Sequence, residues 1–194
     1  VTRGFEVEAS VPGSFNGFRY ATTALAVMAL RQAGEKPAHD KGLAFLIDHG
    51  DVRRATPDLL YNVWAHIYGV QCLAMEMRDN PDPKVRNAAL GQLERMKRYQ
   101  TYIGGWNYYD FNAGTQAQSI GPTSFCTSAG LVALWELKRS GVDPDPKFIQ
   151  LTLDRLEEMR LPDGAYLYDT DLKYLPQHPA NWVRGSLGRS QAGN

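Results

Sequence analysis

The sequence predicts an all-α fold made of helical-hairpin repeats, and two observations support this prediction. Apolar stretches of helical length alternate with amphipathic stretches three times along the chain, and no run of strands competes with them. A glycine–aromatic turn, GGWNYYDF at residues 104–111, has an echo in DGAYLYD at residues 163–169, with Gly105 matching Gly164. Self-similarity at a spacing of tens of residues is typical of repeat architectures.

The first helix of each predicted pair is apolar almost all round. These helices are Ala21–Ala33, about Leu60–Met77 and about Ser124–Arg139. A helix without a polar face is expected to be buried on all sides, so we predict that the three helices form an inner layer. The same reasoning assigns Trp64 to the core.

The second helix of each pair is amphipathic and is predicted to lie outside. The three stretches are about Ala38–Asp48, Lys84–Gln100 and Lys147–Arg160. NPDPKV and DPDPKF each place Asp and Pro before a helix, whereas RQAG and KRSG end the preceding helices with basic residues and a glycine. We expect apolar faces in the last two outer helices. They comprise Val85, Ala89, Leu93, Met96 and Tyr99 in one, and Phe148, Leu151, Leu156 and Met159 in the other.

The pattern predicts one domain over residues 1–194. Its hairpins are expected at about residues 20–49, 57–101 and 123–160, with the start of a fourth at about residue 185. PGSFNGF, residues 12–18, is interpreted as a looser third version of the glycine–aromatic turn. Because three hairpins with apolar inner helices would expose apolar surface, we expect the chain to be part of a larger polypeptide or to oligomerise.

Composition excludes several function classes. Lys plus Arg number 21 and Asp plus Glu number 21, so no net charge attracts nucleic acid or an anionic membrane. The longest apolar runs are shorter than a membrane span, and we predict no transmembrane segment. Cys72 and Cys126 lie in apolar, helix-like stretches and are interpreted as free, buried thiols.

Small polar residues recur near the starts of the inner helices when the repeats are aligned at an offset of 62 residues. Helix N-termini attract hydrogen-bond acceptors and anions, so a ring of such residues is a candidate ligand site. The alternative is that they are N-caps and helix–helix contacts. The candidate residues are Asn62, His66, Ser124, Ser128, Ser186 and Ser190.

YNVWAHIYGVQCLAMEM, GGWNYYDF and GPTSFCTSAGLVALWELKRSG resemble the repeats of the α/α-toroid superfamily, which includes terpenoid (squalene and hopene) cyclases and protein prenyltransferase β subunits. In detail they look most like bacterial prenyltransferase and squalene-oxidase-repeat proteins. The resemblance implies inner and outer helices forming part of an α/α toroid. It also implies that a second copy or another chain completes the toroid.

The family's catalytic motifs have poor counterparts. The D-x-D-D acid motif of hopene-type cyclases is absent, and DPDP (143–146) and DTD (169–171) lack its paired carboxylates. Prenyltransferases bind zinc through Asp, Cys and His. Cys126 is a weak candidate ligand for such a metal, but Ser124 stands where Asp is needed. We therefore predict no cofactor, and whether the chain is an enzyme stays open.

The glycine–aromatic turn has two interpretations. Gln100, Gly105 and Trp106 loosely match the Q-W signature of the cyclases, which implies a turn that packs between helices. Alternatively Trp106, Tyr109 and Asp110 line a ligand cavity. We favour a module for ligand binding or assembly, with a lipid, glycan or peptide as ligand. The alternatives are an isoprenoid-processing enzyme and a structural subunit of a larger complex.

Overall fold

Six α-helices make up most of the chain that the computed structural model describes, which comprises residues 14–52, 62–108, 121–175, 177–179, 191 and 193–194. The all-α prediction is confirmed for these residues. None of their helices is both long and apolar enough to cross a membrane. The helices are α1 (Ser14–Ala33), α2 (Lys36–Asp48), α3 (Val63–Asp79), α4 (Pro83–Arg98), α5 (Ser124–Arg139) and α6 (Pro146–Glu158), followed by a 3₁₀ turn at Asp171–Tyr174.

The helices pair as three hairpins in two layers. In the inner layer α3 packs between α1 and α5, while α2, α4 and α6 each pack against the inner helix that precedes them. One apolar cluster, including Ala24 and Leu73, lies between the first two hairpins. A second cluster, including Ile67 and Leu134, lies between the last two. The core of the described residues is therefore divided into clusters, two of which occupy the junctions between hairpins.

The predicted helix-start and helix-stop signals are confirmed. Asp82 and Asp145 accept hydrogen bonds from the backbone N–H two residues later, at 2.8 and 2.9 Å, and a proline follows each of them at the start of the helix. Gly34 and Gly141 follow α1 and α5 with φ of 75° and 84°, a conformation that glycine adopts without strain.

The interpretation of residues 12–18 as a turn is wrong for the part that the structure describes, because α1 already begins at Ser14. Gly17 lies inside this helix rather than in a turn. A Cβ at Gly17 would lie 2.5 Å from Oδ1 of Asn62, so the glycine allows α1 to approach the start of α3.

Burial on all sides is wrong for α1 and α5 and holds only in part for α3, where Trp64, assigned to the core, is partly exposed. Leu25 on α1 and both Val132 and Trp135 on α5 are exposed, because these helices have a described inner neighbour on only one side. In the outer layer, Leu151 is also exposed, contrary to the predicted apolar face of α6. Leu156 and Met159 are buried as predicted, and Thr152 rather than Leu151 is buried beside them.

Candidate ligand-binding surface

His66 lies on the side of α3 that faces the outer helix α4. Its Nδ1 donates a hydrogen bond to Oε1 of Gln92 at 2.8 Å, and its ring stacks on Tyr99 with centroids 5.5 Å apart. Nε2 has no hydrogen-bond partner among the described residues. Burial, reinforced by the nearby charge of Arg95, lowers the pKa of His66 to about 4 despite the hydrogen bond. The imidazole is therefore neutral near pH 7.

Gln92 extends this contact into a network between two hairpins. Its Nε2 donates to the carbonyl of Gly50 at 2.7 Å and to the hydroxyl of Tyr20 at 3.3 Å. The Tyr20 hydroxyl in turn donates to the carbonyl of Leu46 at 3.0 Å. His66 thus has a structural role: it belongs to a buried network that joins α1, α2, α3 and α4.

The repeat register differs from the predicted one by one residue at the helix starts and by two at the helix ends, where the C-caps Asn80 and Ser140 are 60 residues apart. Asn62 and Thr123 are the residues that precede α3 and α5 at their N-caps, which gives an offset of 61 rather than 62. With this offset His66 corresponds to Thr127, whose Oγ1 accepts a hydrogen bond from the backbone N–H of Trp106 at 3.1 Å. The sequence alignment matched Asn62 with Ser124 instead of Thr123, because Asn and Ser are both common at helix starts.

Consequently, Ser124 and Ser128 do not lie on the side of α5 that corresponds to the His66 side of α3. Ser124 Oγ donates to the carbonyl of Leu167 at 2.6 Å, and its backbone N–H donates to the carbonyl of Tyr168 at 3.0 Å. Ser128 Oγ donates to the carbonyl of Ser124 at 2.8 Å. Both serines are buried; Ser124 joins α5 to the second glycine–aromatic turn, whereas the hydrogen bond of Ser128 lies within α5. The structure does not bring them onto one surface with His66.

Trp106 is fully buried and closes the end of the second hairpin. Its Nε1 donates to the carbonyl of Met96 at 2.8 Å, and its ring meets Phe148 edge-on with centroids 5.6 Å apart. Gly104 and Gly105 have φ of 96° and 72°, and a Cβ at Gly104 would lie 2.3 Å from the Leu151 carbonyl oxygen. These contacts favour the packing interpretation of the turn over a role for Trp106 in lining a cavity.

The remaining predicted site residues lie outside the described residues. They are Tyr109 and Asp110 in the first glycine–aromatic turn, and Ser186 and Ser190 at the predicted fourth inner helix.

A group of aromatic side chains occupies the opposite face of the inner layer. On α3, Trp64 stacks on Tyr68 at 5.4 Å and on Phe125 of α5 at 6.1 Å between centroids. Phe125 contacts Tyr108 at 5.9 Å and Tyr168 at 5.3 Å, and the hydroxyls of Tyr108 and Tyr168 are hydrogen-bonded at 2.7 Å. All five side chains are partly exposed. We call them the aromatic patch.

The aromatic patch joins elements that the sequence relates by repetition. Trp64 and Phe125 correspond at the offset of 61, and Tyr108 and Tyr168 come from the two glycine–aromatic turns. Sequence reasoning missed the patch because α3 has no polar side to mark which face is exposed. The available signal was the helical spacing of Trp64, Tyr68, Gln71 and Met75, which form the partly exposed stripe of α3.

Asp169 and Cys126, the residues that bear on acid and metal chemistry, are both buried, and burial raises the pKa of the Asp169 carboxyl. Cys126 is fully buried on α5, and burial raises the pKa of its thiol well above the usual range. No cluster of three or more His, Cys, Asp and Glu side chains suited to a metal ion occurs in the described part of the chain. The carboxylate of Asp169 accepts the backbone N–H of Leu172 at 2.9 Å and thus holds a chain reversal.

The two cysteines are free and buried, as predicted. Burial also raises the pKa of the Cys72 thiol.

Comparisons of the chain with protein-family models, with curated proteins and with solved structures find no match.

Proposed function

We propose that this protein is a helical-repeat module that binds an apolar ligand at the aromatic patch and takes part in a larger assembly. In this proposal the three hairpins form part of an α/α toroid, like the terpenoid cyclase and prenyltransferase repeats that the sequence resembles. The inner helices then present the aromatic patch toward the hollow side. The two-layer order of the hairpins is compatible with this arrangement.

The contact of five partly exposed rings across α3, α5 and two turns carries the binding proposal. A soluble protein rarely leaves contiguous aromatic surface uncovered without a function for it. Offset and edge-on ring contacts leave ring faces for further stacking, and the two tyrosine hydroxyls add a polar end to an otherwise apolar surface. Such a surface suits an isoprenoid or lipid chain with one hydroxyl or similar polar group.

Farnesol, an isoprenoid alcohol, is a suitable probe. We expect isothermal titration calorimetry to detect binding, and we expect Phe125→Leu to weaken it about fivefold because one aromatic contact is worth ~1 kcal/mol. Leucine keeps the apolar bulk, so the variant is expected to fold. Trp135→Phe, which alters an exposed ring on the same helix outside the patch, is the matched control and should bind as the wild type does.

Two results would count against the proposal. One is the absence of farnesol binding by the folded wild type, and the other is equal affinity of the wild type and Phe125→Leu. Tight binding of a soluble oligosaccharide or peptide instead of farnesol would also overturn the apolar ligand class.

The alternative of an isoprenoid-processing enzyme is tested in the same samples. Conversion of farnesyl diphosphate to a hydrocarbon or a new alcohol, followed by gas chromatography, would support catalysis.

A further inference from the structure

A groove of about 560 Å³ runs along the first hairpin, between α1 and α2. This volume is in the range of small-molecule sites. The two helices approach closely beneath the groove because Gly42 has no side chain: a Cβ there would lie 2.6 Å from Cγ2 of Val27, which is fully buried and forms the floor. The aromatic patch is built on α3, α5 and two turns, so the groove is a separate surface.

Two cationic side chains line the groove from opposite walls, Arg19 on α1 and Lys41 on α2. Within the described part of the chain, neither the guanidinium nor the ammonium group forms an ion pair or a hydrogen bond. The residues that line the groove include no Asp or Glu. Two positive charges that face one groove without a counter-charge attract an anion to it.

Phe45 of α2 orients the Arg19 side chain. Cζ of Arg19 lies 4.6 Å from the centre of the Phe45 ring, and this ring also stacks on His49 with centroids 4.3 Å apart. A cation–π contact positions a guanidinium without neutralising its charge, as a carboxylate would. The N–H groups of Arg19 therefore stay available for a carboxylate, which a guanidinium binds through two parallel hydrogen bonds.

The two threonine hydroxyls of the groove are already used as donors. Oγ1 of Thr22 donates to the carbonyl of Phe18 at 2.8 Å, and Oγ1 of Thr23 donates to the carbonyl of Arg19 at 2.7 Å. Recognition of an anion in the groove consequently depends on the side chains of Arg19 and Lys41.

Toward the connection between the two helices the groove becomes apolar, with Ala26 and Leu30 of α1 facing Ala38 of α2. From Arg19 to Leu30 the wall formed by α1 extends ~16 Å, at ~1.5 Å per residue. Lys41 lies one helical turn from Phe45, so its long side chain can reach a carboxylate held at Arg19. An elongated groove with cations toward one end and alkyl groups at the other is complementary to an aliphatic chain with a terminal carboxylate.

We propose that the groove between α1 and α2 binds a medium-chain fatty acid. The carboxylate lies between Arg19 and Lys41, and the alkyl chain lies against Ala26, Leu30 and Ala38. This site is independent of the proposed function, because it shares no residue with the aromatic patch.

Isothermal titration calorimetry with sodium decanoate, at concentrations below micelle formation and at pH 7, tests the charged end. We expect one site per chain, and we expect Arg19→Gln and Lys41→Gln each to weaken binding roughly three- to fivefold, as for exposed ion pairs. Lys138→Gln is the matched control, because it removes the same charge from an exposed position on α5. Its affinity should equal that of the wild type.

A substitution and a neutral ligand test the apolar end. Ala26→Phe fills the groove from an exposed helical position, so the variant is expected to fold, which circular dichroism confirms, and to lose decanoate binding. The uncharged 1-decanol should bind the wild type more weakly than decanoate does. Its affinity should not change in Arg19→Gln.

Farnesol distinguishes this site from the aromatic patch. Phe125→Leu should bind decanoate as the wild type does, whereas Arg19→Gln should leave farnesol binding unchanged, so either site can fail alone. Four results would overturn the inference: no decanoate binding by the folded wild type, equal affinity of the wild type and both charge variants, tighter binding of decyl phosphate than of decanoate, or self-association that Arg19→Gln abolishes. The last result would make a second copy the occupant of the groove.

Discussion

Acidification provides a direct test of the buried network around His66. The structure places a neutral imidazole between Gln92 and Tyr99, fully removed from solvent. Protonation would put a charge into this site with no carboxylate in the hydrogen-bonded network to balance it. We therefore expect the folded protein to lose stability as the pH falls below the pKa that His66 has in the unfolded chain.

The magnitude follows from the two pKa values. The folded-state pKa of about 4 lies below the unfolded-state value of about 6.5. A lowered pKa means that the stabilising contribution is fully present above pH 6.5 and is lost as the pH falls toward 4. Linkage gives a loss of about 2 kcal/mol in the free energy of unfolding between pH 7 and pH 5.

Urea unfolding followed by circular dichroism at pH 7, 6 and 5 measures this loss. His66→Asn keeps an amide donor near the position of Nδ1 and removes the titration, so its stability should fall by about 2 kcal/mol less than that of the wild type between pH 7 and 5. At pH 7 the free energy of unfolding of the variant is expected to be ~2 kcal/mol below that of the wild type, because the ring packing is lost.

His39 supplies the matched comparison because its effect has the opposite sign. Burial lowers its pKa, but hydrogen bonds to Asp40 and Glu76 outweigh burial and raise the pKa above the ordinary value. Its contribution is present below about pH 6.5 and is lost as the pH rises through the folded pKa. His39→Asn should therefore steepen the acid-side loss. An equally steep loss in wild type and His66→Asn would refute the reasoning about His66.

Three further predictions concern packing, capping and thiol access. Gly130→Ala should destabilise the fold by ~1–3 kcal/mol in urea unfolding, because its Cβ would lie 2.4 Å from the Trp106 ring. Gly91→Ala, in a roomier helical position, should stabilise it by ~0.5–1 kcal/mol, and a destabilised Gly91→Ala would contradict this account. Asp145→Ala should cost ~1 kcal/mol through loss of the N-cap of α6, and an unchanged urea midpoint would argue against the cap. Both cysteines should react with a thiol reagent only as fast as the protein opens, because they are buried and their pKa values are raised; rapid modification of Cys126 in the native protein would contradict its placement.

The helices and their ends were predictable because their signals are local. Asp–Pro pairs, basic last turns and C-terminal glycines act within a few residues of the helix end, so the bounds of α5 matched the prediction and those of α4 and α6 differed only near their ends. The start of α1 was missed, since Gly17 in a helix is explained only by the approach of Asn62 from another hairpin. The repeat register was likewise wrong, by one residue at the helix starts and by two at the helix ends.

The sequence by itself determined that the chain forms apolar and amphipathic helices in alternating pairs, because hydrophobic periodicity and capping depend on near neighbours in the chain. It did not determine which side of an apolar helix faces a partner, because α3 and α5 carry no polar stripe to mark the exposed side. Only the tertiary structure directed His66 toward Gln92, placed the aromatic patch on the opposite face, and left Trp135 and Arg139 exposed. Those choices depend on contacts between residues 26 to 61 positions apart, which are set by packing of whole hairpins.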